Sequence, residues 1–247
     1  MPTVILPALR TRVATSYEVM GAEVAQAILS GIKQKPDLLL CVSAGGTPSG
    51  AYNCLAAQYA RQPRLFKKLR VIQIDEWGGL PRDHAATCQT DLRAKLLSPL
   101  QITTDRFVGF RSDASNPEKE CRRVAQWLAD NGPIDICILG LGLNGHVAMN
   151  EPGRAGQPYA HVANLAPSSQ GHPMLKSLSR KPAYGLTLGL AEILQSRKIF
   201  LLVSGKKKRA PLRRLNNPSV SSRFPASFIW LHPDATLFCD REAANAL

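Results

Sequence analysis

The chain has 247 residues, with 31 Lys+Arg against 18 Asp+Glu and a formal charge of +13. Hydrophobic residues make up 45% and charged residues 20% of it, ordinary globular usage that excludes a disordered chain. The length suits one α/β domain that buries its own core, so residues 1–247 read as a single domain.

No apolar run approaches the roughly 18 residues a membrane span needs; Leu38–Val42 is of strand length. Met1–Leu6 has no basic leader and no small-residue cleavage site after it, so a secretory signal is not expected. The six cysteines, Cys41, Cys54, Cys88, Cys121, Cys137 and Cys239, form no CxxC pair, and several sit in apolar runs. They read as buried, reduced thiols of a cytoplasmic protein rather than a disulfide framework or zinc site. The positive charge attracts nucleic acid, anionic lipid or phosphorylated metabolites. Outside Lys206–Arg209, Arg213 and Arg214 that charge is scattered, and aromatic residues are 6% of the chain. Without aromatic–basic interleaving there is no base-stacking platform, and nucleic acid is not the expected ligand.

In chain order, helical and strand periods alternate, which predicts a doubly wound, mainly parallel α/β sheet with helices on both faces. Thr15 and Glu18 read as a capping box before Met20, Val24, Ile28 and Ile32 at four-residue spacing. The strand Leu38–Val42 follows, then a glycine turn in which Thr47-Pro48 reads as N-cap and first helical residue. Ala51, Leu55 and Ala56 share a face of that helix. The run Val71–Ile74 is a strand ending at Asp75-Glu76-Trp77, and Asn116-Pro117-Glu118 starts a helix with Cys121, Val124 and Leu128 inward. Further strands are expected at Ile134–Leu139, Ile199–Val203 and Phe228–Leu231. Between 152 and 182, Pro152, Pro158, Pro167, Pro173 and Pro182 with Gly153, Gly156 and Gly171 preclude a long helix. This stretch is expected to be a loop-rich lid or binding loop.

Four chemically loaded segments follow strands, where open parallel sheets bind ligands. In Ser43-Ala44-Gly45-Gly46-Thr47-Pro48 the glycines admit close backbone approach. The helix N-terminus beyond offers N–H groups to an anion, with the Ser43 and Thr47 hydroxyls as extra donors. Asp75-Glu76 could include a general base if one carboxylate is desolvated. The segment Gly140-Leu141-Gly142-Leu143-Asn144-Gly145-His146 matches G-x-G-x-x-G superficially. Pro152 interrupts any following helix, however, and no acid lies near 20 residues on to hold a ribose. The loop instead presents Asn144, His146 and Glu151, a set suited to proton transfer. In the fourth, Ser204-Gly205-Lys206-Lys207-Lys208, a lysine at a helix start is unfavourable unless an anion lies there. Lys206 and Lys207 read as a solvated basic face.

Together these segments resemble the glucosamine/galactosamine-6-phosphate isomerase (deaminase) family, which is related to the 6-phosphogluconolactonases. The likeness runs over nearly the whole chain. It includes Gly79-Leu80-Pro81, Tyr184-Gly185-Leu186-Thr187, Gly205 with Lys208, and Leu231-His232-Pro233, and is most specific at Gly145-His146 followed by Asn150-Glu151-Pro152-Gly153. The resemblance implies that Asp75 moves a proton between C2 and C1 of an opened amino sugar. It implies that His146 assists ring opening, that Glu151 orients and charge-balances His146, and that Gly45, Gly46, Thr47 and Lys208 hold the 6-phosphate. No metal or cofactor is implied. The expected partner is a small sugar phosphate, with neither nucleic acid nor membrane, and self-association is left open.

Two departures stand out. Glucosamine-type deaminases carry Asp where this chain has Asn144, and the Asn form looks like the galactosamine branch. The family's phosphate-contacting arginine is replaced near His172, with Lys176 and Arg180 close in sequence. The alternatives are a 6-phosphogluconolactonase, against which Glu151 speaks, and a non-catalytic sugar-phosphate sensor. Such sensor domains normally accompany a DNA-binding helix-turn-helix, for which 247 residues leave no spare length.

Overall fold

The computed structural model describes residues 9–153 and 156–245; the Met1–Leu6 reading falls outside them. Ten strands form among these residues: β1 Arg10–Ala14, β2 Leu39–Val42, β3 Arg70–Gln73, β4 Asp75–Trp77, β5 Phe107–Val108, β6 Ile136–Gly140, β7 His161–Asn164, β8 Tyr184–Thr187, β9 Lys198–Val203 and β10 Ala235–Asp240. The α-helices are α1 Tyr17–Gln34, α2 Ser49–Arg61, α3 Cys88–Leu92, α4 Pro117–Asn131, α5 Pro167–Gln170, α6 Leu190–Leu194, α7 Arg209–Leu215 and α8 Arg241–Ala244.

Seven strands make an all-parallel sheet in the order β1-β10-β9-β6-β2-β3-β5. Successive residues of a strand point to opposite faces, and two cores result. Leu39, Cys41, Cys137 and Leu139 face the core that contains Cys121, Val124 and Leu128 of α4 and Leu212 of α7. Leu40, Val42, Ile136 and Ile138 face the one that contains Met20, Val24, Ile28 and Ile32 of α1 and Leu55 of α2. The expected doubly wound architecture is thus the observed one. Each fully buried Leu or Ile contributes about 1.5–3 kcal/mol before entropy is charged against it.

The order reverses direction once. From β2 the chain moves outward through β3 and β5, then returns to lay β6 on the other side of β2. The crevice at the carboxyl ends of β2 and β6 is the switch point at which such sheets bind ligands. Above it stands a small antiparallel sheet, β4-β8-β7, packed on Trp77, Leu80, Met149, Leu165 and Leu175.

Several local expectations require correction. The first helix is capped by Ser16, one residue after Thr15; its hydroxyl accepts from the Val19 N–H at 3.3 Å and donates to Glu18. The α2 helix starts at Ser49 with Pro48 as N-cap and no side-chain cap, so Thr47 keeps its hydroxyl clear of the helix. Phe228–Leu231 is not a strand but part of a 3-10 helix spanning Pro225–Leu231. Pro225 opens it, and the Trp230 indole donates to the Leu215 carbonyl at 2.8 Å. The final strand is β10 instead. The Asp75-Glu76-Trp77 segment, expected to end the strand from Val71, is a short strand of its own. Within 152–182, residues 154 and 155 lie outside the described residues, and the remainder contains β7, α5 and the 3-10 turn Pro173–Leu175.

Candidate active site

The four loaded segments leave the carboxyl ends of β2, β3, β6 and β9, which are consecutive neighbours in the sheet. Topology therefore gathers them at one edge. A second tie comes from the small sheet, where Asp75 lies opposite Thr187 in register. The Thr187 hydroxyl accepts the N–H of Met149 at 3.2 Å, joining the strand that carries Asp75 to the His146 loop.

The two adjacent acids have different surroundings. The Glu76 carboxylate is fully buried and accepts from the N–H groups of Trp77, Cys88 and Gln89 and from the Gln73 amide. Cys88 and Gln89 open α3, so Glu76 is committed to that helix start. Among the described residues nothing donates to the Asp75 carboxylate. Desolvation, followed by the neighbouring Glu76 charge, pushes Asp75 up to about 7. A carboxylate at that position is poised to take and return protons near neutrality.

The loop after β6 is shaped around an imidazole. A Cβ on Gly142 would collide with the His146 ring, and one on Gly145 (φ 92°) with the Phe224 ring. The turn is closed by the Gly142 N–H donating to the His146 carbonyl at 2.9 Å and the Gly145 N–H to the Gly142 carbonyl at 3.0 Å. Glu151 is the hub. Its Oε2 accepts from the Asn144 Nδ2 at 2.8 Å and lies 3.7 Å from the His146 Nδ1. Its Oε1 accepts from the Ser169 hydroxyl and from the Ala166 N–H. Burial pushes this carboxyl up, but the neighbouring His146 and the hydrogen bonds from Ser169 and Asn144 outweigh it and hold Glu151 at about 2. It is ionised at neutral pH.

The anion-type loop after β2 is held by its surroundings. The Tyr17 hydroxyl donates to the Gly46 carbonyl at 2.6 Å and accepts from the Gly50 N–H at 2.7 Å. The Gly45 N–H already donates to Asp91 at 2.9 Å, and Lys95 pairs with Asp91 at 2.5 Å. Among the described residues, the N–H groups of Gly46 and Thr47 and the Thr47 hydroxyl have no hydrogen-bond partner. The Ser43 hydroxyl oxygen is buried and also lacks one. Gly46 is exposed and Thr47 half-buried, so their donors beside a helix N-terminus are open to an acceptor from solvent, whereas the buried Ser43 hydroxyl is the one true orphan of this loop.

Lys208 approaches from the other side. Asp240 anchors its turn by accepting from the Ser204 hydroxyl at 2.5 Å and the Gly205 N–H at 3.1 Å. The Lys208 ammonium donates to the Leu141 carbonyl, and desolvation pushes its pKa down. Lys206 and Lys207 are exposed, in line with a solvated face.

Sequence reasoning missed Ser169, Asp91 and Lys95, and left His172 without a role. Its ring packs against Trp77, with centroids 5.6 Å apart. Its Nδ1 accepts from the Met174 N–H at 3.3 Å, which directs an Nε2–H outward, and that edge faces Gly45. Burial, and then the neighbouring His146 and Lys208, push its pKa down. Lys176 and Arg180 are exposed.

A profile of the family described as "Glucosamine-6-phosphate isomerases/6-phosphogluconolactonase" matches residues 13–238. AgaI of Escherichia coli (strain K12), provisionally named a deaminase, is 38% identical over 217 residues, covering 88% of this chain and 86% of its own. The solved structure of a monomeric glucosamine-6-phosphate deaminase superposes with a TM-score of 0.91 at 32% identity, covering 97% of this chain and all of that one. The 6-phosphogluconolactonase of Trypanosoma brucei, at 22% identity and a TM-score of 0.79 over 97% of this chain and 99% of its own, shares the fold. By the span of the matching profile and by these identities, the chain belongs to the family of glucosamine-6-phosphate isomerases and 6-phosphogluconolactonases.

Proposed function

We propose that this enzyme converts a 2-amino-2-deoxyhexose 6-phosphate to the ketose 6-phosphate and ammonia. The observation that carries the reading is Asp75, a desolvated carboxylate with no donor among the described residues, on the same sheet edge as His146 and an anion-type loop. His146 takes the proton of the anomeric hydroxyl and passes it to the ring oxygen as the bond from C1 to that oxygen breaks and the sugar opens. Asp75 takes the C2 proton, giving an enolamine, and returns a proton to C1. The resulting C2 imine adds water and releases ammonia, so substrate plus water balances ketose phosphate plus ammonia. Gly46, Thr47, Ser43 and Lys208 hold the phosphate, with Gly45 supporting the loop through Asp91. Tethering the phosphate fixes C1 and C2 against the base, an arrangement that in favourable cases contributes a factor on the order of 10⁵ or more. The 152–182 segment acts as a lid whose His172 faces the same loop.

The galacto sugar is the preferred substrate. The support is Asn144, whose amide donates to Glu151 where glucosamine-type relatives are expected to carry an acid. The deciding experiment measures ammonia released from galactosamine 6-phosphate and glucosamine 6-phosphate, with hydrolysis of 6-phosphogluconolactone as the control. Ammonia from either amino sugar with no lactonase activity is expected, faster from the galacto sugar. Lactone hydrolysis without ammonia release overturns the reaction, and a faster gluco reaction overturns the sugar preference.

Lys208→Gln is expected to raise KM for the sugar phosphate by about 10–100-fold, the size of a lost hydrogen bond between charged groups. Because the phosphate is held in ground and transition states alike, kcat should change far less. A KM unchanged in steady-state assays removes Lys208 from the phosphate site.

A further inference from the structure

The Ser169 hydroxyl lies between the two groups at the centre of the site. It donates to Glu151 Oε1 and sits 3.3 Å from the His146 Nδ1. A serine hydroxyl has one hydrogen to give. The Glu151 carboxylate is ionised and offers no proton, so the hydrogen of Ser169 goes to Glu151. The contact with His146 then runs the other way, with Nδ1–H donating to the serine oxygen. That fixes the neutral imidazole with its proton on Nδ1 and its lone pair on Nε2. Glu151 alone lies 3.7 Å from Nδ1, beyond hydrogen-bond distance, and its Oε2 is already engaged by Asn144.

We infer that Ser169 is a positioning residue that sets the tautomer of His146, leaving Nε2 as the atom that exchanges protons with the sugar. The inference rests on the role of His146 in the reading above. Ser169 is suited to this task, being 4% exposed and carried on α5. The start of that helix is tied to the same carboxylate by the Ala166 N–H, and the Ser169 carbonyl accepts from the His172 N–H at 3.0 Å. The tautomer of the acid–base histidine therefore depends on the 152–182 segment being seated. The tautomer of a histidine is set by the hydrogen bond that its other ring nitrogen makes, and here the partner comes from the 152–182 segment.

The test is ¹⁵N NMR of the histidine ring nitrogens at a pH well above the ordinary histidine range, with His146 assigned by its loss in His146→Gln. Wild type is expected to show a protonated Nδ1 and an unprotonated Nε2 at His146. Ser169→Ala should shift the ring toward the Nε2–H tautomer and lower kcat about tenfold, with KM within about threefold. Ser169→Thr, which restores a hydroxyl, should recover both. A wild-type His146 with its proton on Nε2 overturns the inference. So does a Ser169→Ala protein whose ring signals and kcat match wild type. Should Ser169→Ala fail to fold, the wild-type spectrum alone decides. The spectrum does not depend on turnover, so an enzyme that releases no ammonia but shows the Nδ1–H ring would overturn the proposed reaction and leave this inference standing.

Discussion

Asp75→Asn is expected to lose at least about 10³-fold in turnover while gaining thermal stability above neutral pH. The activity loss follows from removing the group proposed to carry the proton between C2 and C1, a role worth about 10²–10⁴ in rate. The amide is isosteric, so sugar-phosphate binding should stay within about tenfold, the pattern of a group that acts mainly in the transition state. The stability gain follows from the same desolvation. The carboxyl is pushed from 3.8 to about 7 on folding, so the folded protein binds this proton more tightly than the unfolded chain does. Below pH 4 both states are protonated and the site costs nothing. As pH rises through 7 the folded state must carry a desolvated charge, at an upper limit of roughly 4 kcal/mol. Asparagine removes that cost. For a chain of this size about 1 kcal/mol corresponds to about 2–4 °C, so Tm of the variant should exceed wild type by several degrees at pH 8 and match it near pH 4. The kcat/KM of the wild-type enzyme should fall about tenfold per unit below pH 7. A variant that turns over normally, or a Tm difference that does not vary with pH, rules out Asp75 as the base.

The parts of the molecule legible in the sequence are those whose signal is local. Met20, Val24, Ile28 and Ile32 are all fully buried, because a four-residue apolar repeat has one way to be satisfied in a helix. The buried strands from Leu39, Val71, Ile136 and Ile199 show as apolar runs, since parallel strands covered on both faces need no alternation. The strands missed are those at which partners supply the reason. Most residues of β1 are exposed, and it is held as an edge strand by β10, more than 220 residues away in the chain. The β4 strand reads in sequence as the end of the strand before it and is set apart by its pairing with β8. Phe228–Leu231 has the composition of a strand, but Pro225 and Pro233 bracket it and the indole of Trp230 turns to the end of α7. His232 stood out as part of a motif, yet it is buried against the Ser196 carbonyl at 2.7 Å and does structural work.

The site divides along the same line. Gly142, His146 and Glu151 were readable because a glycine turn around a histidine and an acid is compact in sequence. Residue type alone does not separate Glu76 from Asp75; the resemblance picks Asp75, and α3 gives the physical reason through the N–H groups that occupy Glu76. Ser169 and His172 carried no pattern, because their meaning comes from where α5 and the Pro173–Leu175 turn come to rest. The unabsorbed positive charge, by contrast, lies at exposed positions, with Lys206 and Lys207 in its densest cluster. A cationic surface of this kind draws in a phosphorylated substrate by long-range attraction that weakens with salt.

Glu151→Gln joins these threads in one variant, with an expected fall in kcat of about 10²-fold and a loss of stability that depends on pH in the opposite sense to Asp75→Asn. The carboxylate anchors three donors, the Asn144 amide, the Ser169 hydroxyl and the Ala166 N–H. A glutamine presents one carbonyl and one NH₂ in place of two acceptors, so whichever way it is turned at least one donor faces another donor. If the NH₂ faces Ser169, that hydroxyl must reverse and can donate to His146 instead of accepting from it. The imidazole then exposes Nε2–H, the wrong tautomer for accepting a proton there, and ring opening slows. The stability effect follows from a folded pKa of about 2 against 4.5 in the unfolded chain. The ionised group stabilises the fold by at most roughly 3 kcal/mol above pH 4.5, a contribution lost as pH falls toward 2. Wild type should therefore melt above Glu151→Gln at pH 7 and converge with it in strong acid, whereas it should melt below Asp75→Asn at pH 8 and converge near pH 4. Two acids of the proposed site, destabilising and stabilising at the same neutral pH, separate the residue proposed to change charge during turnover from the one proposed to stay ionised. Melting curves that move in parallel for the two variants contradict that division.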